Sequence, residues 1–177
     1  MIAELGLAAL WLAAALAALQ LVTGALAVRQ DAGTGEAAIA DLTRPATVVQ
    51  GILAALSFAA LLYVFAVTDL SVKLVADNSH SLKPMIFKLS GAWGNHEGSM
   101  LLWVTVLAAS GALIALVERR LPERTMQAVL ASQGFVALGF YAFLLLSSNP
   151  FERLPIPVEE GAGLNPLLQD IGLAFHP

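Results

Sequence analysis

The sequence contains no cysteine, so the chain supplies no disulfide, no thiolate metal ligand and no thiol for redox exchange. Charge is also scarce. Only 12% of the 177 residues are charged, and 13 acidic against 9 basic side chains leave a net charge of −4. That balance excludes a basic nucleic-acid binder, and no run of like charge is long enough to form an acidic or basic tail. What remains is apolar: 58% of residues are hydrophobic and the mean hydropathy is +0.78. A soluble domain of this length has too little interior to hide so much apolar surface.

Four stretches contain no Asp, Glu, Lys, Arg or His: Leu5 to Val28, Ala46 to Thr68, Ser99 to Val117 and Met126 to Ser148. Each has the roughly 17 to 25 residues that cross about 30 Å of hydrocarbon. The pattern predicts an all-α polytopic membrane protein, with four transmembrane helices, a structured loop and a structured tail, forming part of a larger helical bundle. The spans lie at about 5–28, 46–68, 99–117 and 126–148 within a membrane region of residues 1–148. The first span is read as retained, because Met1 to Glu4 has no lysine or arginine and the apolar run exceeds a signal-peptide core. Pro45 suits a helix start, where its missing N–H is not needed. Gly24, Gly51, Gly111, Gly134 and Gly139 are read as points of close helix approach.

Lysine and arginine placement sets the expected orientation. Arg29, Arg44, Arg119, Arg120 and Arg124 crowd the short connections after spans one and three, whereas Lys73, Lys83, Lys88 and Arg153 are spread over longer segments. The N-terminus, the loop 69–98 and the tail 149–177 are therefore expected outside. All three histidines, His80, His96 and His176, fall in these outside segments.

Within the loop, alternation of Leu70, Val72 and Leu74 suggests an extended stretch, and Pro84 to Ala92 a short interfacial helix with Met85, Phe87 and Trp93 facing lipid or protein. The run Trp93, Gly94, Asn95, His96, Glu97, Gly98, Ser99 then enters span three. A histidine beside a glutamate at a membrane boundary can bind a metal, shuttle a proton or orient a polar cap. Glu97 and Ser99 also suit a helix N-terminus, which favours negative charge and a capping hydroxyl. His80 lies in a polar turn with Asn78, Ser79 and Ser81. The tail is proline-rich without helical period and reads as an ordered loop, its apolar pieces Leu164 to Leu168 and Ile171 to Phe175 suited to docking.

Several of these runs resemble one family, the cytochrome c biogenesis heme lyase CcmF with its nitrite-reductase-associated paralogs. They are Trp93 to Ser99 with Leu101 to Trp103, Asp69 to Val72 with Val75 to Ser79, Ser148 to Arg153, and Leu164 to Asp170 with Phe175 to Pro177, in the family's order. The resemblance implies a bacterial inner-membrane protein with periplasmic N-terminus and tail, matching the N-terminal part of the lyase. It implies a b-type heme, received from the chaperone CcmE and joined through thioethers to apocytochrome c. Further implied partners are the thiol-handling subunits CcmH and CcmI, the remaining part of the lyase and membrane lipid; nucleic acid is not among them.

By the same resemblance His176 matches an axial ligand of the heme iron. Trp93, Gly94, His96, Glu97 and Gly98 are candidates for a surface that contacts heme or its chaperone. The tail 149–177 should lead to a tryptophan-rich heme platform, which three tryptophans, Trp11, Trp93 and Trp103, do not supply. The chain is therefore expected to be inactive alone, with no catalytic residue assignable. Lacking cysteine, it requires a separate thiol reductant. The alternative is an ion-translocating or structural subunit, and spans without Asp, Glu, Lys, Arg or His weigh against ion translocation.

Overall fold

The computed structural model describes residues 1–29, 41–156, 158–170 and 172. Four long apolar helices organise them: α1 (Ile2–Arg29), α2 (Thr43–Ala66), α5 (His96–Val117) and α6 (Glu123–Ser147). Each is long and apolar enough to span a bilayer. Two short helices, α3 (Lys73–Asn78) and α4 (Met85–Gly91), lie between α2 and α5, and a 3-10 turn, Pro166–Gln169, lies in the tail. Backbone groups in hydrocarbon must be satisfied within the segment, which is why the uncharged runs fold as helices.

The chain divides into two compact units. One comprises Ala9–Ala55 and Val104–Phe143. Small residues bring its helices close. A β-carbon on Gly51 would lie 2.7 Å from that of Ala112, and one on Gly24 would lie 2.9 Å from that of Ala131. Gly111 and Gly134 are similarly crowded, by Gln133 and by the Ala17 carbonyl, but Gly139 faces open space and makes no close approach. Met126, Leu130 and Ala115 form an apolar cluster with Val48 against it.

Neutral polar side chains are buried in this unit as well. Gln20 donates to the Leu130 carbonyl at 2.6 Å, Thr43 to the Thr23 hydroxyl at 2.9 Å, and Gln50 to the Tyr141 hydroxyl at 3.3 Å. In a bilayer these bonds join helices, because the amides have no water to turn to. Arg44 closes one end of the unit. Its guanidinium donates to the Ala115 and Glu118 carbonyls, satisfying acceptors that the end of α5 leaves open, and pairs with Glu123 at 3.1 Å.

The second unit comprises Met1–Ala8, Leu56–Trp103 and the segment from Leu144 onward. Here α2 ends in a paired turn: Thr68 N–H donates to Phe65 at 3.1 Å and Asp69 N–H to Val64 at 2.9 Å. Thr68 takes φ +54°, the left-handed position usually held by glycine. The expected extended stretch through Leu74 is mostly absent. Val72 alone makes an antiparallel bridge, with Arg153, and the chain then turns into α3. Leu74, Val75 and Ala76 are all buried, so consecutive apolar positions rather than alternation match the outcome. The expected short helix from Pro84 is present as α4.

Candidate functional site

The second unit gathers the sequence runs singled out above, and their geometry begins at the joint between α4 and α5. After α4 the chain makes a tight turn, with Trp93 and Gly94 N–H groups donating to the Ser90 carbonyl at 3.2 and 2.9 Å. Asn95 then caps α5, its Oδ1 accepting the Gly98 N–H at 2.7 Å. The cap is therefore Asn95 and not Ser99, while Glu97 does lie in the first turn of α5. Asn95, Glu97 and Ser99 all fit the composition of a helix N-terminus, and only the fold distinguishes the one that caps. Gly98 has a steric cause: a β-carbon there would overlap the Ala92 carbonyl oxygen and sit 2.8 Å from its carbon.

His96 is the first residue of α5, and its ring is exposed. Its Nδ1 lies 3.1 Å from the hydroxyl of Ser148, a buried residue just beyond α6. This contact orients the imidazole, with donor and acceptor roles set by the tautomer. Trp93 and Glu97 are half-buried beside this turn. Trp103 is exposed on α5.

From Ser148 the chain enters a turn in which Asn149 Oδ1 accepts the Phe151 N–H at 3.0 Å. Phe151 is buried, and a β-carbon on Gly6 would lie 2.5 Å from its ring. Arg153 follows and joins three segments. It donates to Glu4 on α1 at 2.9 Å, pairs with Asp69 at 3.2 Å and hydrogen-bonds to the Ser71 hydroxyl. Burial pushes the Asp69 carboxyl upward, but hydrogen bonds from Ser71 and the Arg153 charge outweigh it and hold the group below its ordinary value. Main-chain bonds from Lys73 N–H to Glu152 and from Leu154 N–H to Ser71, both 2.9 Å, complete the clasp.

A second clasp binds the tail to α3. Ala162 and Gly163 N–H groups donate to the Ala76 and Ser79 carbonyls at 2.8 and 3.1 Å, where the helix has run out of its own donors. Gly161 is required there because a β-carbon would overlap the Ser79 carbonyl. The Glu160 carboxylate accepts the Ser81 hydroxyl and, at 3.0 Å, the Ser81 N–H, and it lies 3.9 Å from His80 Nδ1. The Ser81 hydroxyl and the Gly161 and Ser81 N–H groups hold its pKa at about 2. His80 accepts the Leu82 N–H at Nδ1 over 3.2 Å, in keeping with a role inside its own turn.

The structure thus brings together Trp93, Gly94, His96, Glu97 and Gly98 in one joint and places Ser148 against it. His176 lies outside the described residues. Among the described residues, no three His, Cys, Asp or Glu side chains are grouped to hold a metal ion. The joint places the exposed His96 near the half-buried Trp93 in sequence. The sequence assigns no site role to Ser148, Arg153, Asp69 or Glu160. Their pairings span up to 149 positions, which no local signal reports.

Comparison with known proteins bears on family and fold. The family described as Cytochrome C assembly protein matches residues 93–177. The chain is 50% identical over all its 177 residues to the cytochrome c-type biogenesis protein CycK of Rhizobium meliloti, covering 26% of that protein. It is 44% identical to the cytochrome c-type biogenesis protein CcmF of Haemophilus influenzae, over its whole length and 27% of the relative. A solved structure described as Cytochrome c Heme Lyase CcmF superposes with a TM-score of 0.78 at 28% identity, over 86% of this chain and 25% of the other. The chain spans about a quarter of the length of the curated relatives it matches.

Proposed function

Because the chain belongs to the cytochrome c assembly protein family, at the CcmF and CycK branch of it, we propose that it is a membrane part of a cytochrome c heme lyase. The observation that carries the reading is the joint at His96. It presents an exposed imidazole, oriented by Ser148, on a scaffold that two clasps to the tail make rigid. Binding sites need such preorganised support.

In this reading the lyase accepts a b-type heme from the chaperone CcmE and supports its attachment to apocytochrome c. CcmH and CcmI present the apocytochrome thiols. The chain lies in the bacterial inner membrane with its N-terminus and tail in the periplasm. Trp93, Gly94, His96, Glu97 and Gly98 form a surface that contacts the heme or its chaperone. His176 supplies an axial nitrogen to the iron, a common role for imidazole. The rest of the lyase supplies the remaining platform in this reading, and the isolated chain has no lyase activity.

Heme bound by the purified assembly tests this reading. His176→Ala should lower both heme occupancy and cytochrome maturation, whereas His96→Ala should slow heme transfer while leaving the absorption spectrum of bound heme unchanged. Full occupancy and an unchanged spectrum with His176→Ala would overturn the ligand assignment. An assembly purified with no heme at all would favour a structural subunit.

A further inference from the structure

The segment between α3 and the α4–α5 joint has an apolar surface that neither clasp uses. Leu82 is 87% exposed, and Met85 and Ile86, in the first turn of α4, are 54% and 42% exposed. On the other side α4 is packed: Ser90 and Gly91 are buried, and a β-carbon on Gly91 would lie 3.0 Å from the Phe65 ring of α2. The packing fixes the helix, so the exposed apolar residues are held outward.

Position and charge identify what meets them. The polypeptide leaves one span at Ala66 and enters the next at His96, so the intervening segment returns along one face of the membrane. Residues 78–96 contain Lys83 and Lys88 and no carboxylate, in a chain whose net charge is −4. Glu160 touches this stretch at Ser81, and the Lys83 ammonium is buried, 3.7 Å from where a β-carbon on Gly163 would lie, so the half-buried Lys88 is the cation that α4 itself carries toward the outside. A short helix with outward apolar residues and a lysine, between two spans, has the composition of a segment lying in the headgroup layer.

We propose that Leu82, Met85 and Ile86 insert into the bilayer interface and that Lys88 engages anionic phospholipid headgroups, anchoring the α4–α5 joint at a set depth. Apolar contact supplies the attachment and the lysine favours anionic lipid. The inference does not depend on the heme reading: it concerns where the joint sits and not what it carries.

The absence of cysteine makes the test direct, since single cysteines at 82, 85, 86 and 159 can each carry a spin label. Labels are read in the purified assembly in phosphatidylcholine nanodiscs with and without phosphatidylglycerol, as accessibility to oxygen, which concentrates in lipid, and to a water-soluble nickel chelate. Oxygen access should exceed nickel access at 85 and 86 and fall below it at the exposed reference Glu159. Phosphatidylglycerol should raise the ratio at 85 and 86, and K88Q should abolish that rise. Nickel access exceeding oxygen at 85 and 86 would overturn the proposal by putting the segment in water. Protection from both reagents would overturn it in favour of a protein partner, and a ratio indifferent to phosphatidylglycerol would overturn the headgroup selection.

Discussion

Arg153 and Asp69 meet at 3.2 Å across 84 positions of sequence, and the pair holds the start of the tail to the turn that follows α2. Both side chains are about one-third exposed, so their attraction is partly screened, but hydrogen bonds to Glu4 and Ser71 make them members of a network.

Arg153→Ala should therefore cost about 1 to 2 kcal/mol, more than an isolated surface pair. Amide exchange at Lys73 and Leu154, whose N–H groups close the clasp, should rise before exchange in the long helices. The Asp69 carboxyl sits below its ordinary pKa, so its contribution is complete at neutral pH and lost as pH falls through the lowered folded value. The stability gap between the parent and Asp69→Asn should shrink on acidification. A gap that widens at low pH would show that Asp69 acts otherwise.

Gly98→Ala should prevent the α4–α5 joint from closing, with a loss of about 3 kcal/mol or more, because the clash is with main chain and not with a flexible side chain. Gly139→Ala, where the space is open, should stay within about 0.5 kcal/mol of the parent. Thermal unfolding in detergent distinguishes them, and equal melting temperatures for the two variants would refute the steric account.

Thr68 occupies a left-handed conformation and its buried hydroxyl has no partner among the described residues. Thr68→Gly should raise stability by about 0.5 to 1 kcal/mol, the relief of backbone strain less the added chain entropy of glycine. A lowered melting temperature would mean that the threonine makes a contact in the assembly that offsets its strain.

Orientation follows from the arginine bias and can be read with cysteines at Glu159 and Thr125, both exposed. An impermeant thiol reagent added to spheroplasts should label position 159 and spare 125. The reverse pattern would invert the topology.

Apolar length and the exclusion of charge from four stretches were enough to identify four spans, because a helix in lipid satisfies its own backbone and its existence depends on local composition. The runs Trp93 to Ser99 and Ser148 to Arg153 were likewise legible as parts of a family resemblance. The sequence by itself left open what these runs touch. That Asn95 caps α5, that Ser148 orients His96, that Arg153 reaches Glu4 and that Arg44 closes the end of α5 are matters of which segments meet after folding. Residues 74–76 show why: all three consecutive side chains are buried, which erases the periodicity from which a helix or strand is read. Local composition determined the spans, and only long-range packing decided the partners of each polar group, since a hydrogen bond depends on distance in space and carries no trace in sequence spacing.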